Sequence, residues 1–370
     1  MKFTRMPIER ESPEEFGYGK IDNNLSESSI RDLSLADLGI ALSDLTLFYG
    51  SHRGEGRLRE LIAQPSGVSP DEVLVTAGAA GALFIVATSL LEQGDHVVVV
   101  RPNYATNIAT PQAIGCDISF VDVAFTSGFR LDIDAFAAAI RPNTKLLSVT
   151  CPHNPTGTVL PEADLRRLVV LAERHGCRLL VDETYRDMTY GTTLPCAASL
   201  SPCAISVSSL SKSYGVPGIR VGWVITRDPG LYENFLAAKE QMGICGSVID
   251  EAIAAQVLER REERLAETRI RIAQRLAIMR QWVAGEPLVD WVEPTGGVVC
   301  LPRLTGLTGR DMQRFHQRLL ADYGTYVGPG HWFDMPAQFV RVGFDWPTET
   351  QLRRGLAGIS GAMAAELAAS

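Results

Sequence analysis

Between residues 72 and 226 the chain repeats one pattern, and that pattern narrows the possible folds more than any other feature. Short apolar or β-branched runs stand at residues 72–76, 96–100, 118–121, 145–150, 178–182, 204–208 and 221–226. Helical spacing fills several of the gaps, at residues 79–91, 131–140 and 162–175, the last stopped by Gly176. Residues 96–100, His-Val-Val-Val-Val, are apolar at successive positions, so both faces of that strand need cover. Strands alternating with helices, several of them apolar on both sides, predict an α/β fold with a mostly parallel, covered sheet.

The flanking regions read differently. The first 45 residues are irregular, and a short amphipathic helix is expected at residues 57–62. Residues 231–280 are helical in pattern with a break near Gly243-Ile244-Cys245-Gly246, and their mixed-sign run at 259–264 reads as a solvated face. From Glu286 a smaller α+β unit is expected, with strands at 298–301, 326–327 and 339–342, a helix at 309–323 and a last amphipathic helix from 356. These shifts suggest an N-terminal arm (1–45) that joins the small domain, a large domain (46–284) and a C-terminal small domain (285–370). With 35 basic and 43 acidic residues the net charge is −8, which argues against a chain built to grip nucleic acid or an anionic membrane. No apolar run approaches 18 residues, and the N-terminal residues lack the apolar core of a leader, so a cytoplasmic protein is expected. The seven cysteines are scattered without a C-x-x-C and read as free thiols, with no metal site.

Four segments at the ends of the expected strands carry side chains suited to chemistry. In an open parallel sheet ligands bind at the carboxyl ends of strands, so these segments converge. Ser208-Ser209-Leu210-Ser211-Lys212 places one of only five lysines among hydroxyls and glycines, with Arg220 eight residues on. A lysine in a pocket can lose its proton and form a Schiff base, and an arginine with a hydroxyl suits a phosphate. Asp182 directly follows a buried strand, where a carboxylate needs either a cationic partner or a capping role. Asn154, in Cys151-Pro152-His153-Asn154-Pro155, marks a turn whose amide can reach a phenolic oxygen. Gly78-Ala79-Ala80 opens a helix, whose free amides make an anion site. Gly54-x-Gly56 lacks the context of a dinucleotide fingerprint.

Taken together, C-P-H-N-P-T-G-T, V-D-E-T-Y and S-S-L-S-K-S-Y-G-V-P-G-I-R-V-G-W resemble the class I/II aminotransferase-like family of fold-type I pyridoxal-phosphate enzymes, from about Leu47 to Phe344. The resemblance implies an aspartate aminotransferase-like α/β fold and pyridoxal 5′-phosphate as cofactor. By it, Lys212 holds the cofactor as an internal aldimine and later moves protons, and Asp182 pairs with the pyridine nitrogen. Asn154 and Tyr185 bond the ring hydroxyl oxygen, and Tyr104 stacks on the ring. Gly78, Ala79, Ala80, Ser209 and Arg220 form the phosphate cup. Tyr49 reaches the phosphate of a neighbouring subunit, which implies a homodimer with shared active sites. Arg341, together with Asn154, binds the substrate, Arg341 gripping the α-carboxylate of an α-amino acid. His153 and His52 are further candidates for lining the site.

Two departures qualify this assignment. Ala79 and Ala80 stand where relatives carry hydroxyls or amides, which shifts the load onto Arg220, Ser209 and Tyr49. The Ser26-Glu27-Ser28 and Gly296-Gly297-Val298 stretches resemble a branch that includes capreomycidine synthase-like enzymes of secondary metabolism. Transamination is the expected outcome. Elimination, replacement or cyclisation at the β or γ carbon is the alternative, and oxygen-dependent deamination a third. The acidic residues Glu27, Asp187 and Asp345 are expected near the site, where they would suit a basic or polar amino acid.

Overall fold

The computed structural model describes residues 1–369. A seven-stranded sheet forms its centre, in the order Val73–Ala77, Val221–Thr226, Ala204–Ser209, Arg178–Asp182, Thr144–Thr150, His96–Arg101, Asp117–Asp122. All neighbours run parallel except that Val221–Thr226 runs antiparallel to both of its partners. The valines of His96–Arg101 explain the strand: β-branched side chains suit the pleat, and Val97, Val98 and Val99 are fully buried between helices on the two faces. One face packs on Gly78–Leu90 and Pro229–Gly243, and the other on Glu162–His175.

Register fixes what meets at the edge of the sheet. Thr150 lies opposite Asp182, and Ser209 opposite Gly222. Because the Val221–Thr226 strand is reversed, Arg220, just before its start, lands on the same edge as the carboxyl ends of the parallel strands. Arg220 sits at φ +53°, a left-handed conformation unusual for a side chain with a Cβ. Gly222 is tied to this edge too, since a Cβ there would collide with the backbone of Gly78.

A second core lies at the end of the chain. It joins Leu25 and Ile30 to Val289, Val340, Phe344, Leu352 and Met363, with Ile272 and Met279 from the helix Arg261–Gly285. The arm enters it through a parallel pairing, Asn23 with Thr325 and Asn24 with Tyr326. Further out, two short helices, Pro7–Arg10 and Pro13–Phe16, lie against the same region. Ile8 packs on Trp332 and Phe333, and Trp332 Nε1 donates to Glu11 Oε2 at 2.8 Å.

Candidate active site

A cavity of about 360 Å³ opens at the carboxyl edge of the sheet, under the N-terminal arm. Lys212, Asp182, Tyr185, Asn154, Tyr104, Ala79, Ala80, Ser209, Arg220 and Arg341 all line it. The expectation that four separated segments converge is therefore met in space.

Each side chain is placed by its element. Asp182 ends its strand and is 4% exposed. Its Oδ1 accepts from the Thr184 amide at 3.1 Å and hydroxyl at 2.6 Å. Burial raises its pKa, with those bonds pulling the other way. Lys212 follows the neighbouring strand by three residues, and burial lowers its pKa. Its Nζ has no hydrogen-bond or ion-pair partner among the described residues. Arg341 lies in the strand Val340–Gly343 and is 3% exposed. It donates from Nη1 to Asn154 Oδ1 at 3.2 Å and from Nη2 to the Ser26 carbonyl at 2.6 Å. Its buried Nε has no partner among the described residues, and the guanidinium lies 5.0 Å from the centre of the Phe333 ring. Burial lowers its pKa, yet a guanidinium stays charged at any ordinary pH.

Tyr185 donates its hydroxyl to the Ser28 carbonyl at 2.8 Å, and burial pushes its pKa up to about 12. Tyr104 bonds Glu9 Oε1 at 3.3 Å, and burial likewise raises it to about 12. At the far end Gly78 opens the helix Gly78–Leu90 at φ +72°, and an added Cβ would stand 2.7 Å from Arg220 Nη2. Free helix amides and a guanidinium thus share one small space.

These features fit pyridoxal phosphate. A buried carboxylate with no ion-pair partner among the described residues suits the pyridinium nitrogen, and the glycine cradle with Arg220 suits the phosphate. A lysine with a lowered pKa suits the Schiff base. Ala79 and Ala80 offer no side-chain donors, so a phosphate held here would depend on backbone amides, Arg220 and Ser209.

Other expected residues lie elsewhere. Tyr49 is 82% exposed and does not line this cavity. His153 is not at the site: its Nε2–H donates to the Pro102 carbonyl and its Nδ1 pairs with the Thr156 hydroxyl, both at 2.8 Å. His52 bonds Glu240 on the surface. Asp187 is taken up by Arg261 and the Tyr214 hydroxyl, and Asp345 by a two-pronged contact with Arg271. Neither acid lines the cavity. Glu27 does, and so do Glu9 and Glu14, which had no local signature because they belong to an arm without regular pattern.

Comparison with known proteins agrees with the geometry. The family model for aminotransferase class I and II matches residues 22–359. The chain is 31% identical over 347 residues to capreomycidine synthase of Streptomyces vinaceus, covering 91% of this chain and 87% of that one. It is 32% identical over 310 residues to arginine–pyruvate transaminase AruH of Pseudomonas aeruginosa, covering 80% and 77%. A crystal structure of a PLP-dependent aminotransferase from Streptococcus suis 89-1591 superposes with a TM-score of 0.92 at 29% identity, covering 99% of both chains. The fold is aspartate aminotransferase-like, the cofactor is pyridoxal phosphate, and the chain belongs to the class I and II aminotransferases.

Proposed function

We propose that the chain transfers the amino group of an α-amino acid to a keto acid, with Lys212 as the catalytic base and Arg341 as the carboxylate clamp. The observation that carries this is the presence, on one cavity, of a lysine whose Nζ makes no hydrogen bond or ion pair and a buried arginine with no carboxylate in contact, both among the described residues. Pyridoxal phosphate, when bound, supplies the electron sink that acidifies the α-carbon of the amino acid. Arg341 orients the substrate by a charge-assisted pairing with its carboxylate, against the apolar faces of Trp332 and Phe333. Lys212 Nζ, shifted toward its neutral form by burial, removes the α-proton. Asp182 would pair with the pyridine nitrogen of the bound cofactor and help to keep it protonated. Asn154 and Tyr185 would steady the ring oxygen, Tyr104 would pack on the ring, and Gly78, Ala79, Ala80, Ser209 and Arg220 would hold the phosphate.

In the same reading the protein is a cytoplasmic homodimer in which Tyr49 serves the partner's phosphate cup. Exposed Leu47, Phe48 and Tyr49 support the dimer, and seven free cysteines support a reducing compartment. Residues 46–284 act as the cofactor-binding body, with 1–45 and 285–370 forming the smaller one. A second reading is cyclisation or elimination, favoured by the 31% identity over 91% of the chain to capreomycidine synthase.

An absorbance scan of the cofactor-loaded protein against single amino acids, without keto acid, separates the two. Transamination bleaches the visible band once per site, and a keto acid restores it. If instead the band recovers unaided through many turnovers while ammonia or a cyclic product accumulates, the transaminase reading is wrong, and turnover that persists without oxygen leaves the second one standing.

A further inference from the structure

Three carboxylates on the substrate cavity have no part in the chemistry assigned so far, although Glu9 accepts from the Tyr104 hydroxyl. Glu9 and Glu14 come from the two short helices of the arm, and Glu27 from the segment just after the Asn23–Asn24 pairing. Many acidic side chains elsewhere in this chain have an arginine in contact, such as Glu366, Asp345 and Asp187. Glu9, Glu14 and Glu27 have none: no lysine or arginine side chain forms an ion pair with them among the described residues. Glu27 Oε1 takes the Tyr18 hydroxyl at 3.0 Å and the Asn24 amide at 3.4 Å, which leaves Oε2 open. Burial raises the pKa of Glu27, and Lys212 and Arg341, beyond contact distance, pull it the other way without cancelling the rise.

The cations on the cavity are already committed. Arg220 belongs to the phosphate, Arg341 to the substrate α-carboxylate and Lys212 to the proton transfer. Arg341, buried on this cavity with no carboxylate in contact among the described residues, is an independent sign that an anionic group of a ligand enters the same space. With phosphate and α-carboxylate in place, the three glutamates still have no cation in contact among the described residues. A dicarboxylic substrate would add a fourth negative charge, and among the described residues no third arginine lines the cavity to receive it. Ile8, Leu83 and Trp332 line the same space and give a methylene stem apolar surface to lie on.

We propose that Glu27, assisted by Glu9 and Glu14, selects amino acids whose side chain ends in a positive charge, a guanidinium or an ammonium. The proposal rests on the reading of this cavity as an amino-acid site. It makes the arm a specificity element: two of the three carboxylates lie within residues 7–16.

The test uses the full-length, cofactor-loaded protein and spectral titration without keto acid. L-arginine and L-lysine are compared with their neutral counterparts L-citrulline and L-norleucine, and with L-glutamate. The cationic pair is expected to bind at least about tenfold more tightly than the neutral pair, with L-glutamate weakest. Salt should weaken L-arginine and leave L-citrulline nearly unchanged. Glu27→Gln should shrink the arginine-to-citrulline ratio by about tenfold while the visible band of the lysine-bound cofactor persists. If that variant loses the band, Glu9→Gln and Glu14→Gln should each shrink the ratio severalfold. Equal binding of L-arginine and L-citrulline, or ratios unmoved in all three variants, overturns the proposal and leaves the amino-acid site intact. A spectrum that no amino acid perturbs overturns the site reading itself, and this proposal with it.

Discussion

At the scale of single residues, Gly78 and His153 show how little room the site leaves. Gly78 holds φ +72° and faces Arg220 Nη2, so Gly78→Ala adds both backbone strain and a contact at 2.7 Å. Cofactor affinity should fall at least about tenfold with overall stability changed by only about 1 kcal/mol, read by cofactor titration beside thermal unfolding. Unchanged affinity would remove Gly78 from the phosphate cup. His153 tests burial instead. The Pro102 carbonyl can only accept, so Nε2 carries the proton and Nδ1 accepts from Thr156. Burial lowers its pKa to about 4. The unfolded chain, near 6.5, therefore takes up the proton first as pH falls, and stability is lost between about pH 6.5 and 4. Between pH 7 and 5 this one group should cost about 2 kcal/mol, and His153→Gln should flatten the pH slope of urea unfolding by that amount. Parallel slopes in the two proteins would refute the assignment. Both residues also mark the reach of sequence reasoning. Lys212, Asp182 and Arg220 were legible because each adjoins a run that announces a strand. The position of His153 beside Asn154 suggested the site, but the turn directs its ring into the wall behind.

At the scale of elements, legibility followed local pattern. Glu162–His175, Arg178–Asp182 and Val221–Thr226 match the expected bounds, because amphipathic spacing or β-branched content marks each of them. Thr106–Ile114 was not foreseen: Pro111 lies within it and its apolar residues follow no period. The last helix runs Glu349–Ala368, seven residues earlier than expected, because its first turn is polar and solvated. The signal was present as a reciprocal cap, Thr348 with Gln351. This helix depends on Glu366, which is 1% exposed and bonds Arg314 Nε at 2.6 Å and Arg318 Nε at 2.8 Å on the helix Met312–Tyr323. Removing its charge leaves two arginines facing a neutral amide, so Glu366→Gln should cost about 2 kcal/mol in denaturant unfolding. Arg353→Gln, which breaks an exposed pair with Glu349 one helical turn away, should cost under about 0.5 kcal/mol. Equal losses from the two substitutions would contradict the view that burial sets the worth of these ion pairs.

At the scale of the whole molecule, the cavity is assembled from segments more than 300 residues apart. Ser26 and Ser28 give their carbonyls to Arg341 and Tyr185, and the arm is held there by pairing with Thr325–Tyr326. No local signal in residues 1–45 announces this, because a two-residue parallel pairing leaves no period in the sequence. The same argument extends beyond one chain. Leu47, Phe48 and Tyr49 are 70%, 64% and 82% exposed, three large apolar residues in succession with nothing of their own chain over them. Such a run is costly in water and supports the proposed contact with a second copy of the chain. If a second copy covers it and Tyr49 completes that copy's phosphate cup, two defects on different protomers complement each other. Tyr49→Ala alone should weaken cofactor binding, and Lys212→Ala alone should abolish both the visible band and turnover. In a hybrid of the two, one site joins an intact Lys212 to an intact Tyr49 of the other subunit. Hybrids isolated by two different affinity tags should then hold cofactor at about half of their sites with wild-type affinity and recover the matching share of activity. If Tyr49 acts within its own chain, the hybrid has no intact site and binds cofactor no better than the Tyr49→Ala homodimer. That result would leave Lys212 in place and take Tyr49 out of the phosphate cup.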